Sequence, residues 1–124
     1  MADVPVPIGA YDIYYQEEFV TQLTKLIAHN LYINTWIFKI DDEFNGRGHA
    51  SINVESIKTI IELRKKKVEM TESIIRKLEE VMKKVLPKKM KIAMPSLFRS
   101  FEHYMTAFCK SGGVIEAAPL CQPN

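Results

Sequence analysis

The sequence predicts a small α/β fold of the α+β kind, with a small antiparallel sheet and one long basic amphipathic helix. Three observations point to it. Apolar residues recur at three- and four-residue steps in two separate stretches, around 19–27 and 57–85. Two short runs rich in β-branched and aromatic residues, TWIFKI and HASINV, flank a loop containing two glycines. A further short apolar run, VIEA, follows a Gly112-Gly113 pair. Helices and strands mixed in this order suit a layered α+β unit better than a bundle.

The elements follow in chain order. Residues 1–11, with Pro5, Pro7 and Gly9, are expected to form a flexible leader. From Asp12 the pattern turns helical, with Phe19, Leu23, Leu26 and Ile27 on one face and Asn30 as the stop. TWIFKI and HASINV are then read as two strands of a hairpin around the loop 41–48. Ser56 is the expected N-cap of the longest helix, whose stripe runs through Ile60, Ile61, Val68, Ile75, Leu78, Met82 and Val85. Pro87 is expected to stop or kink it. Ser96 is expected to cap a last helix bearing Phe98, Phe101, Tyr104, Met105 and Phe108, ended by Gly112 because glycine adopts left-handed geometry freely. VIEA is read as a third strand, and 120–124 as a tail. One domain, 12–119, results, and its thin three-stranded sheet has open edges.

Composition narrows the function. At 124 residues the chain fits one domain with a real core. No apolar run approaches the roughly 20 residues that span a bilayer, and the start MADVPVPIGAYD has neither the basic nor the apolar part of a secretory signal. Cys109 and Cys121 show no metal or redox spacing, and His29, His49 and His103 are scattered. A cytoplasmic protein with free thiols is the expectation. The net charge of +2 conceals an asymmetry: residues 56–91 hold twelve Lys or Arg and five Glu, leaving five basic and ten acidic residues for the rest.

Candidate site residues cluster around the first glycine loop. In WIFKI, strand alternation puts Lys39 on the same face as Ile37 and Asp41, so it is either a solvated lysine on an edge strand or a cation aimed at phosphates. Gly46 and Gly48 let backbone N–H groups approach a ligand, and Arg47 between them can fork two oxygens. The loop is no Walker motif, since no GK[ST] follows, and no dinucleotide fingerprint, since no GxGxxG opens a helix. Asp41, Asp42 and Glu43 would repel bare phosphate, so they are expected to point away, pair structurally, or meet a nucleotide through a divalent ion.

The string WIFKIDDEFNGRGHA, followed after a helical insert by SGGVIEAAP, resembles the ATP-grasp region of the IQ motif-containing protein H family over roughly residues 14–119. The resemblance implies a nucleotide held between two sheets, with Lys39 on the ATP phosphates and the loop from Asp41 to Gly48 closing over them. Gly46 and Gly48 would supply backbone approach there. Glu116 would hold adenine and ribose at a hinge strand, where Ala117 and Ala118 offer backbone groups. ATP is thus the implied cofactor, with magnesium whose ligands lie on later strands. The sequence runs only to PLCQPN past that hinge, so an incomplete ATP-grasp-like unit, regulatory and without turnover, is expected. Family membership would also imply calmodulin as a partner and a setting in spermatogenesis, although no IQ motif occurs here.

The competing reading rests on residues 56–91. A basic amphipathic helix with Met70, Met82 and Met90 can dock in the groove of calmodulin, or meet an acidic membrane surface or nucleic acid. Aromatic residues are not interleaved with its lysines, which argues against a nucleic-acid stacking platform. A solvated outer face over an apolar inner stripe explains the same pattern without any partner.

Overall fold

A computed structural model describes residues 9–40, 48–66, 69–93, 96 and 98–118. They form a five-stranded antiparallel sheet with four α-helices. In chain order these are β1 (Gly9–Ile13), α1 (Gln16–His29), β2 (Thr35–Ile40), β3 (His49–Asn53), α2 (Lys58–Lys66), α3 (Glu72–Lys89), β4 (Lys91–Ile92), α4 (Phe101–Ser111) and β5 (Gly113–Ala117). The strands lie in the order β1-β5-β2-β3-β4. The α+β expectation with an antiparallel sheet holds.

Two strands were not read from the sequence. Gly9–Ile13, taken as leader and helix start, is an edge strand whose Gly9 and Ala10 pair with Glu116 and Ile115. Its composition, GAYDI, has weak strand propensity; the partner strand supplies the pairing. At the opposite edge, Lys91 and Ile92 pair with Ser51 and Ala50. Lys39 therefore stands on β2, an interior strand flanked by β5 and β3, and not on an edge.

The long helix divides. Thr71 caps α3, its side-chain oxygen accepting from the Ile74 N–H at 3.3 Å. A threonine that bonds its own helix start offers the backbone a beginning instead of a continuation. The stripe hid this break because Ile61, Val68 and Ile75 are spaced by sevens, which keeps one face apolar on either side of it. Pro87 lies inside α3 and stops nothing: it falls in the last turn, and the Met90 N–H still reaches Leu86 O at 3.0 Å. The last helix is capped by Ser100, not Ser96. Ser100 Oγ accepts from the His103 N–H at 3.1 Å, and His103 Nδ1 accepts from the Arg99 N–H at 3.2 Å, a reciprocal pair that closes the helix start. Asn30 and Gly112 end α1 and α4 as expected, with Gly112 at φ 82°.

One face of the sheet carries the core. Trp36, Phe38, Ile52 and Ile115 are fully buried on it, beneath Phe19, Leu23 and Ile27 of α1, Leu78 and Met82 of α3, and Tyr104 and Phe108 of α4. Phe19 joins these layers, its ring centroid 4.8 Å from Phe38 and 4.9 Å from Phe108. Strict alternation along β2 leaves Thr35, Ile37 and Lys39 on the other face, only partly covered. Among the described residues no helix covers that second face.

The basic helix reading is narrowed by this packing. Leu78, Met82 and Leu86, the apolar stripe of α3, are at most 1% exposed, and α3 packs along α1. A groove-binding partner that takes such a stripe would have to draw it out of the core. Arg64 is engaged as well, donating to the carbonyls of Leu31 and Ile33 and to Asn34 Oδ1, where it fixes the turn between α1 and β2. The exposed side of these helices is rich in lysine, with Lys83 paired to Glu80 and Lys89 donating to Ser56 Oγ.

Candidate functional site

The uncovered sheet face can be read from strand register. In antiparallel pairs, directly opposed residues share a face. Lys39 is opposed by Val114 on one side and His49 on the other. The next row on this face runs Gly9, Glu116, Ile37, Ser51 and Lys91 across all five strands. Two candidates from distant parts of the sequence are thereby neighbours on a diagonal. Lys39 Nζ and Glu116 Oε1 form an ion pair at 2.9 Å, with side-chain exposures of 40% and 24%.

That exposure sets what the pair is worth. Partly solvated ion pairs contribute about 0–1 kcal/mol, because water and salt screen them. The contact holds the lysine head over the sheet without trapping it. A ligand anion of comparable charge can displace the carboxylate at little cost. The pair thus leaves the lysine head partly open to solvent on this face.

Gly48 sits differently. It is buried at the start of the second hairpin strand, and its carbonyl accepts from the Ile40 N–H at 3.1 Å and from Tyr104 Oη at 2.8 Å. A β-carbon there would press on the Ile40 side chain at 3.0 Å, so a small residue is needed where the chain returns to the sheet. Burial raises the Tyr104 hydroxyl well above the usual phenol range, and it therefore stays a donor. The Ala118 N–H donates to Thr35 O at 3.0 Å, which commits it to extending the β5–β2 ladder. Gly46 and Arg47, with Asp41, Asp42 and Glu43, lie outside the described residues.

Other titratable groups stand apart. Burial, with Glu18 nearby, raises the Cys109 thiol, a direction opposite to that of a nucleophilic cysteine. Among the described residues no three His, Cys, Asp or Glu side chains converge to hold a metal ion. Nor, among the described residues, is any helix long and apolar enough to cross a membrane.

Three residues of this face were not singled out from the sequence: His49, Ser51 and Lys91. Alternation in HASIN already places His49 and Ser51 on one side. Which side, and opposite which residues, depends on hairpin register. Lys91 was hidden in a run of lysines, and only its pairing with Ser51 marks it out. With Ile37, these residues border a shallow depression of about 250 Å³ on the uncovered face.

Comparison with known proteins identifies a family. Residues 1–123 match the family described as IQCH-like, ATP-grasp. The chain is also 30% identical to IQ motif-containing protein H of Danio rerio, in an alignment that takes in 98% of this chain and 12% of that protein. It thus spans about one eighth of the length of that relative. No solved structure matches. The match covers nearly the whole chain, including both strands that carry Lys39 and Glu116, and on that ground the chain belongs to the IQCH-like ATP-grasp family.

Proposed function

We propose that this chain is a nucleotide-binding module with a regulatory role, in which the uncovered sheet face receives ATP and Lys39 meets its phosphates. One observation carries the reading: Lys39 and Glu116, from strands 77 positions apart in sequence, come within 2.9 Å of each other on the face that the helices leave open. Membership of a family described as ATP-grasp supports ATP as the ligand class. The protein's own contributions would be few and simple. Lys39 offers a mobile cation, and a charge-assisted hydrogen bond from it to a phosphate oxygen strengthens as water leaves the site. Glu116 accepts from the ribose hydroxyls once the lysine turns to phosphate. Ile37, opposite Glu116 and two residues before Lys39 on β2, gives an apolar surface for the flat side of a sugar or base. Magnesium fits this arrangement as an ion carried on the phosphates, since the described residues form no cage of their own for it.

Calorimetric titration of ATP, with and without magnesium, tests the reading. Lys39→Ala is expected to weaken ATP at least tenfold, because a hydrogen bond to a charged group contributes about 1.5–3 kcal/mol. Its far-ultraviolet circular dichroism should match the parent, as the side chain lies outside the core. Equal affinity in parent and variant would overturn the assignment.

Glu116→Gln separates two roles of the carboxylate. Glutamine keeps an acceptor for ribose but releases Lys39 and removes a charge that repels phosphate. ATP is expected to bind about two- to fivefold tighter, the range set by a partly exposed ion pair. Weaker binding would show that the negative charge of Glu116 counts for more in the ribose contact than in its competition for Lys39.

A further inference from the structure

The face around Lys39 continues toward β4, and that continuation is cationic. His49 stands directly opposite Lys39 on β3. One row away, Ser51 lies between Ile37 and Lys91. His49, Ser51 and Lys91 border the 250 Å³ depression with Ile37, Ala50, Ile92 and Ala93, and no carboxylate takes part in its lining. Among the described residues Lys91 has no acidic partner; the ion pairs there join Lys39 with Glu116 and Lys83 with Glu80. Neighbouring strands are about 4.8 Å apart, so roughly 10 Å separates the backbones of β2 and β4. Lys39 rests toward Glu116 on β5, and turned toward β3 it can reach, together with Lys91, one extended anion across that gap.

We propose that His49, Ser51 and Lys91 form a second anion subsite, which takes the distal phosphates of a triphosphate whose proximal phosphate lies at Lys39. This extends the nucleotide reading above and rests on it for the position of Lys39. The argument is one of complementary charge and shape. The depression offers a lysine ammonium, an imidazole and a hydroxyl as donors, over a floor of small and apolar residues. A chain of phosphates suits that set, since its oxygens lie along a line and each requires a donor. A neutral or cationic ligand gains nothing from Lys91. A short β4 places that ammonium at the rim, where two residues of strand are enough to aim it.

The test compares AMP, ATP and inorganic tripolyphosphate on the parent, Lys39→Ala, Lys91→Ala and Lys91→Arg proteins by calorimetry, at one fixed and low salt concentration. Lys91 is exposed, so its replacement leaves the core intact, and circular dichroism checks this. Lys91→Ala should lose about tenfold in affinity for ATP and tripolyphosphate, with AMP unchanged, and Lys91→Arg should recover most of the loss. Lys39→Ala should weaken all three. If Lys91→Ala binds ATP and tripolyphosphate like the parent, the subsite is overturned while the nucleotide reading stands. If the parent binds tripolyphosphate through Lys91 but neither nucleotide, the subsite stands and the nucleotide reading falls. A parent protein that binds none of the three overturns both.

Discussion

Phe19→Ala is expected to lower the stability of the domain by about 3–5 kcal/mol, the usual loss when a buried phenylalanine is cut to a methyl group. Phe19 is fully buried and touches the two rings that tie the helical layer to the sheet, Phe38 on β2 and Phe108 on α4. Its removal takes away the apolar transfer energy of the ring and also two aromatic contacts, one of them edge-on at 87°. The rigid elements on either side cannot close the gap, so a cavity remains. Since domains are commonly stable by only about 5–15 kcal/mol, the variant should unfold at a much lower urea concentration, with the slope of the transition unchanged. Phe19→Leu, which refills part of the space, should recover a substantial share. A loss below about 1 kcal/mol would mean that the three-ring junction does not hold the layers together.

Gly113→Ala should be almost as damaging, for the opposite reason. A β-carbon at this position would lie 2.5 Å from the Lys39 carbonyl oxygen and 2.5 Å from the edge of the Phe108 ring. One obstacle is backbone and the other is a packed aromatic side chain, so neither yields easily. Overpacking of this kind costs about 1–3 kcal/mol, and the upper part of the range is expected where the sheet must spread. The position matters beyond stability. Gly113 opposes Ile40 in the ladder that sets β5 against β2, and that ladder brings Glu116 to Lys39. Denaturant titration should show the loss, and the amide signals of Val114 and Lys39 should shift together. A variant as stable as the parent, with both signals unmoved, would contradict the close approach.

Much of this fold is legible in the residues that satisfy local rules. Alternation in TWIFKI put Lys39 on one face with Ile37, as the strand shows, and Gly112 ended its helix because the positive φ there suits glycine. Tertiary partners decided the rest. Gly9–Ile13 becomes a strand by pairing with β5, and no property of GAYDI announces it. The choice between Ser96 and Ser100 as cap turned on His103, whose N–H donates to Ser100 Oγ while its ring accepts from the Arg99 N–H. In the site, each residue type could be named singly. The meeting of Lys39 with Glu116, and the row that adds Ser51 and Lys91, depend on strand order and register, which arise from long-range pairing.

The strand order also has a consequence for how the chain folds. β5 inserts between β1 and β2, so Trp36 must find Ala117 and Gly9 must find Glu116 across almost the whole described chain. Contacts of such high sequence separation slow folding, because a long loop is closed before any pairing rewards it. The β2–β3 hairpin can form early, as its partners are close in sequence. Until β5 arrives, β2 exposes an unpaired edge, and a chain emerging from the ribosome carries that edge through the synthesis of three helices. The ion pair between Lys39 and Glu116 can form only when this last strand docks. Completion of the sheet and assembly of the proposed anion site are therefore one kinetic event, and a folding intermediate that lacks β5 would be sticky and would also lack the Lys39–Glu116 pair.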